Sequence, residues 1–127
     1  MWNEYNSRCI SCGACTIACS TCTCFTTTDI IYNENGSVGE RKRTSASCQV
    51  KGFSDMAGGM SFRKTAAERM RYKVLHKFHD YKARFKDYHM CVGCGRCIDR
   101  CPEYISIAAT VEKMSKAIDE IVAEENK

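Results

Sequence analysis

The sequence predicts a mainly α-helical domain with one small β-hairpin, and three observations point there. Eight of the eleven cysteines fall into two runs of identical spacing. Two segments carry apolar residues at helical spacing, and a β-branched stretch ahead of an Asn-Gly pair reads as a hairpin. A chain of 127 residues fits one domain, taken as 1–127, in which residues from about 25 to 88 form an insert between the cysteine runs.

The first run is Cys9-x2-Cys12-x2-Cys15-x3-Cys19. The second is Cys91-x2-Cys94-x2-Cys97-x3-Cys101, followed by Pro102, the single proline of the chain. This spacing holds [4Fe–4S] cubanes in two-cluster ferredoxins, where three thiolates wrap one cluster and the fourth, a helical turn further on, reaches the other. The expected ligand sets are Cys9, Cys12, Cys15 and Cys101 for cluster 1, and Cys91, Cys94, Cys97 and Cys19 for cluster 2. Gly13, Gly93 and Gly95 are expected to let the backbone pass close to the sulfides, where a Cβ would collide. Pro102 turns the chain out of the second run and gives up an N–H that is not needed there. Ser20 occupies the matching place after Cys19.

The 71 residues from Ser20 to Met90 are too many for a bare connection and must form structure of their own. Thr26–Tyr32 reads as a strand, Asn35-Gly36 as a type I′ turn and Ser37–Thr44 as the returning strand. A loop punctuated by Gly52, Gly58 and Gly59 follows. Thr65-Ala66-Ala67-Glu68 matches a capping box and starts a helix running to Lys86, with Met70, Val74, Phe78, Tyr81 and Phe85 on its apolar face. Its other faces carry Arg69, Lys73, Lys77, Arg84 and Lys86, expected to face solvent or an acidic redox partner. After Pro102, Ile107, Val111, Met114, Ile118 and Ile121 mark a second amphipathic helix with a Glu112–Lys116 pair, whose last turn frays because Glu124 and Glu125 oppose the helix dipole.

Composition narrows the class of protein. The hydrophobic fraction is 44%, but without the eleven cysteines it falls to roughly a third, thin for a core. Eight metal–thiolate bonds would staple such a chain, and the metal-free form is expected to be largely unfolded. The odd cysteine count, the metal-type spacing and the lack of a visible signal peptide argue against a secreted disulfide scaffold and for a reducing cytoplasm. No apolar run reaches membrane-spanning length. Net charge is +4, yet thirteen Lys/Arg against five Asp/Glu give the stretch between Gly39 and His89 a charge of +8. No nucleic-acid module surrounds that charge, so nucleic acid is not an expected partner. The abrupt start before the first ligand suggests a piece of a longer subunit.

Several residues stand outside the two runs. Cys22, Cys24 and Cys48 read as thiols packed near the clusters, with a third metal as the alternative. His76 and His79 read as solvated, and His89 as a residue able to tune the neighbouring cluster. No catalytic residue is expected: no flavin motif, nucleotide loop or nucleophile–base pair is visible.

The segment between the runs resembles the C-terminal region of the iron–sulfur electron-transfer subunit of anaerobic sulfite reductase, a family related to sulfhydrogenase beta subunits. The resemblance rests on Cys19-Ser20-Thr21-Cys22-Thr23-Cys24, on Arg41–Arg43 leading to Ser47-Cys48, on Ala57-Gly58-Gly59 with Phe62-Arg63, on His76-Lys77-Phe78, and on Cys91-Val92-Gly93-Cys94-Gly95-Arg96-Cys97. Met60 stands where that family has a histidine. The wide separation of the runs is also similar to the α-helical ferredoxin fold of succinate dehydrogenase and heterodisulfide reductase iron–sulfur subunits. The resemblance implies a relay of electrons from a flavoprotein that oxidises NADH to a sirohaem subunit that reduces sulfite, with substrate chemistry on other subunits. Alternatives are the electron-transfer subunit of a hydrogenase or heterodisulfide reductase-type complex, and a non-catalytic redox-sensing or structural iron–sulfur module.

Overall fold

A computed structural model describes residues 1–126. A 3-10 turn at Trp2–Glu4 leads into the short helix α1 (Tyr5–Arg8), and α2 (Ala14–Ile17) lies within the first cysteine run. The chain then forms an antiparallel hairpin of β1 (Phe25–Ile31) and β2 (Gly39–Ser45). After a long loop come α3 (Ala66–Leu75), a π-helical turn (His76–Asp80) and α4 (Tyr81–Phe85). The second run contains α5 (Arg96–Asp99), and α6 (Ile107–Glu125) closes the described chain.

This is not the mainly helical, α-helical-ferredoxin-type architecture expected from sequence. Helix accounts for 43% of the chain, mostly in short pieces, beside a two-stranded antiparallel sheet. The physical reason lies in the segments that bind and brace. Each cysteine run is loop except for one four-residue helix, and the run from Ala46 to Lys64 stays irregular around Gly52, Gly58 and Gly59, all at positive φ.

The hairpin pairs Phe25 with Ser45 through Ile31 with Gly39. Its loop is wider than the two-residue turn expected from Asn35-Gly36. Tyr32 N–H donates to the Val38 carbonyl (2.9 Å), while the side-chain oxygens of Asn33 and Asn35 accept from the N–H groups of Val38 and Ser37. Asn side chains that satisfy nearby backbone donors favour such turns over a tight one. Both faces of both strands are exposed, which explains their polar composition. Arg41 grips Asp29 with two bonds (2.6 and 2.8 Å), and Arg43 lies 3.8 Å over the Phe25 ring.

The capping box is present in full: Thr65 Oγ1 accepts from Glu68 N–H (3.2 Å), and Glu68 Oε2 accepts from Thr65 N–H (2.8 Å). The helix it starts is interrupted by the π-helical turn. A π turn breaks the i→i−4 ladder, and here the two residues just ahead of the second cysteine run bond carbonyls within it. Met90 N–H donates to Lys77 O (3.0 Å) and His89 Nδ1 donates to Phe78 O (2.8 Å). The same break carries the apolar stripe out of the core, so Met70 and Val74 are buried, Phe78 is half-buried and Phe85 is exposed. Lys86, in the left-handed region (φ +66°), ends the element.

Tyr5, Met70, Val74, Ile105 and Ile107 form the core, with Cys9, Cys97 and Cys101 packed against it. Buried Tyr5 Oη bonds Thr110 Oγ1 (2.7 Å), which joins the first turn of the chain to α6 across 105 residues. Glu4 and Lys113 pair above it (3.0 Å). Ser106 caps α6 by accepting from Ala109 N–H (3.2 Å). Only the first half of the α6 stripe is covered; Ile118 and Ile121 are exposed. α6 runs to Glu125, and Asn126 Nδ2 donates to the Val122 carbonyl (2.8 Å).

Candidate iron–sulfur centre

The two cysteine runs fold the same way. Ser11 and Gly13 in the first, and Gly93 and Gly95 in the second, occupy matching positions, and all four have positive φ (59°, 80°, 69° and 76°). The hydrogen bonds repeat as well. Thr16 N–H and Ile98 N–H reach the carbonyls of Gly13 and Gly95 (2.9 and 2.8 Å), and Cys19 N–H and Cys101 N–H reach Thr16 O and Ile98 O (3.2 and 3.1 Å). The short helices α2 and α5 of the two runs touch. Two like loops thus face each other, and the last cysteine of each lies one turn beyond its own loop.

Two recesses result. Cys9, Cys12, Cys15 and Cys101 line the first, with Met70, Ile105 and Pro102. Cys91, Cys94, Cys97 and Cys19 line the second, with Cys15 on the dividing wall. Backbone N–H groups point at sulfur, from Gly93 to Cys91 Sγ (3.5 Å) and from Ile105 to Cys101 Sγ (3.4 Å). Amide donors of this kind stabilise thiolate and cluster charge. One thiol in each recess, Cys12 or Cys94, is exposed. Eight thiols set four to a recess, with amides aimed at sulfur, fit two cubanes.

Gly13 has a second reason to be glycine that sequence did not reveal. A Cβ there would stand 2.8 Å from Ser47 Cβ and 3.0 Å from Val50 Cγ2. The insert segment Ser47–Gln49, itself buried, therefore braces the first cysteine loop.

The basic residues from α3 to α4 do not all face solvent. Arg69, Lys73 and Lys77, spaced by four, are 5%, 3% and 4% exposed. They lie one position ahead of Met70, Val74 and Phe78, which is the signal that could have placed them on the buried side. Arg69 donates to the carbonyls of Gln49, Arg63 and Lys64 and to Ser11 Oγ in the first loop (2.8 Å). Lys73 donates to Thr16 Oγ1 (3.3 Å), and Lys77 donates to Thr21 Oγ1 (2.8 Å). Both lysines line the second recess. Arg84 and Lys86 remain exposed.

These contacts sort the thiols. Burial opposes ionisation of Cys19, but Thr21, through its hydroxyl and its backbone N–H, and Lys77 outweigh it and lower the thiol to about 6. Thr21 Oγ1 is 3.4 Å from Cys19 Sγ. Cys22, by contrast, is pushed up to about 12 by burial. Burial also raises Cys24, Cys9 and Cys97; metal coordination deprotonates such thiols outright. Burial works against the charge on Lys73, yet the nearby Cys15, Cys22 and Cys48 outweigh it and its pKa is raised.

Cys48 is buried with its sulfur 3.7 Å from Thr16 Oγ1. Among the described residues no three Cys, His, Asp or Glu side chains converge on a point that would hold a single metal ion. A cubane spreads its ligands over the corners of a cube instead. His76 stacks on Tyr72 (5.5 Å) and His79 pairs with Asp80 (2.9 Å), so the two histidines do not converge. His89 is spent on the Phe78 carbonyl. No helix of the described residues is long and apolar enough to cross a membrane.

Comparison with known proteins agrees with this geometry. Residues 8–105 match the family model of the 4Fe-4S dicluster domain. Over 119 residues, 93% of its length, the chain is 33% identical to sulfhydrogenase 2 subunit beta of Pyrococcus furiosus, and it spans 34% of that relative. No solved structure matches. Iron–sulfur electron transfer is the chemistry these matches support. The chain belongs to the 4Fe-4S dicluster domain family and carries two [4Fe–4S] clusters.

Proposed function

We propose that this chain is a single dicluster unit relaying electrons, with cluster 1 held by Cys9, Cys12, Cys15 and Cys101 and cluster 2 by Cys91, Cys94, Cys97 and Cys19. The observation that carries this reading is the make-up of the two recesses, each lined by the first three cysteines of one run and the last of the other. When bound, the clusters accept and donate single electrons. The protein's part is to hold two sites side by side, exclude water with Met70, Ile105 and Ile107, and leave one thiol open at each site, Cys12 at the first and Cys94 at the second.

The resemblance of the insert supports a relay from an NADH-oxidising flavoprotein to a sirohaem sulfite-reducing subunit in a reducing compartment. The identity to a sulfhydrogenase beta subunit favours a second acceptor, a hydrogenase-type complex. Anaerobic co-purification followed by assay for sulfite reduction and for hydrogen turnover separates the two. The ligand sets have their own test. Anaerobic protein should hold about eight iron and about eight sulfide. Cys101→Ser should damage the cluster wrapped by the first run and Cys19→Ser the other. Loss in each variant of the cluster belonging to the mutated residue's own run refutes the crossed sets.

A further inference from the structure

The two recesses are alike in backbone and thiol number, but not in charge. Among the described residues, Glu103 is the charged side chain lining the first, and it is exposed. The second is lined by Lys73 and Lys77, both almost wholly buried; Lys73 also lies beside Cys15, a thiol of the first, whereas Lys77 is tied to the second through Thr21 and Cys19. The asymmetry arises where the repeat breaks: Thr21 in the first run matches Glu103 in the second. Thr21 Oγ1 accepts from Lys77 Nζ at 2.8 Å and lies 3.4 Å from Cys19 Sγ, so the lysine and the fourth thiol of the second recess are linked through one hydroxyl. Arg69, the other buried cation of α3, is consumed by three carbonyls and the Ser11 hydroxyl and lines neither recess.

Adding an electron to a site adds one negative charge, and a fixed cation beside it favours the reduced form. Away from water the attraction is strengthened, because the effective dielectric constant is lower. Charge and hydrogen bonding at the sulfurs are among the main determinants of cluster potential. We infer that Lys77 sets the order of the two potentials, making the second site the better electron acceptor, so that an electron delivered at the first site settles at the second. One electron leaves the first site and the same electron arrives at the second; no atom or proton is transferred. This inference rests on the crossed ligand sets proposed above.

The test is a redox titration of the anaerobic, fully loaded chain followed by electron paramagnetic resonance, with iron and sulfide measured on every sample. Cys101→Ser and Cys19→Ser identify which signal belongs to which site. Lys77→Gln keeps a donor for Thr21 and removes the charge; Lys77→Arg keeps the charge. At fixed ambient potential, Lys77→Gln should lower the reduced-to-oxidised ratio of the second site at least tenfold, equivalent to about 59 mV for a one-electron couple. The first site should change less than threefold, and Lys77→Arg should stay near wild type. Equal shifts at both sites, or none with iron intact, overturn the proposal. Should Lys77→Gln fail to load, the unmodified chain still decides: if the signal lost in Cys19→Ser is the lower-potential one, the proposal is wrong. Iron below two clusters in unmodified protein refutes instead the dicluster reading beneath it.

Discussion

Gly13→Ala separates two reasons for a glycine in a cluster loop. Its φ of +80° alone costs an L-residue about 1–2 kcal/mol. The new methyl would also stand 2.8 Å from Ser47 Cβ, 2.9 Å from Ser47 Oγ and 3.0 Å from Val50 Cγ2. Overpacking of that kind adds typically about 1–3 kcal/mol, giving a loss on the order of 2–5 kcal/mol, a large share of the stability of a small domain. Gly36→Ala is the control: its φ is +69°, nothing lies within 4 Å of the added Cβ, and it sits in the hairpin loop. That variant should lose only the backbone cost, about 1–2 kcal/mol. Anaerobic denaturant unfolding, followed by cluster absorbance and far-UV circular dichroism, measures both. Relieving the clash with Ser47→Gly and Val50→Ala in the Gly13→Ala background should recover stability towards the control. If no recovery occurs while iron is lost, the glycine is needed against the sulfides, and the bracing role of the insert is refuted.

Thr65→Ala removes the capping hydroxyl of α3 and should cost about 1 kcal/mol in the same unfolding assay, with iron unchanged. Replacing Cys22, Cys24 and Cys48 together with Ala should leave iron at about eight per chain, since the eight cysteines of the two runs already supply four thiols to each recess. Buried Cys48 should contribute a stability loss of about 1 kcal/mol, and anaerobic metal analysis showing zinc or extra iron in the parent would contradict this. Stripping iron with a chelator should collapse the helical signal of α3 and α6, because Cys9, Cys97 and Cys101 are part of the packing around a core of five buried side chains.

What sequence could tell here was set by range. The cysteine spacing is local and names the two clusters by itself, and the Thr65–Glu68 box depends on residues within one turn. The hairpin strands were legible from their β-branched content, but not the loop, because the side-chain oxygens of Asn33 and Asn35 choose a wider turn. Helical periodicity overstated the helix content. It cannot register the π turn at His76–Asp80, whose carbonyls find donors in His89 and Met90 only after the chain has folded back. The same blindness put Lys73 and Lys77 in solvent. A lysine is ordinarily exposed, and its burial here follows from thiols and hydroxyls contributed by residues more than fifty positions away.

That displacement changes what the insert is for. Two facing cysteine loops could hold clusters with little between them, yet this chain places α3 against both. Met70 lines the first recess, while Lys73 and Lys77, one and two turns on, line the second. α3 and the π turn that continues it therefore present the apolar Met70 to one site and the Lys77 charge to the other. A two-fold repeat of loops with identical backbone turns would by itself give two equivalent sites, between which an electron has no preference. Breaking that equivalence requires something outside the repeat, and the insert supplies it. The bonds of Arg69 to Ser11 and Gln49 at one end, and those of Met90 and His89 to the π-turn carbonyls at the other, tie this segment to the first loop and to the residues leading into the second. Its position relative to both recesses is then set from two sides, as a charge that distinguishes neighbouring sites requires.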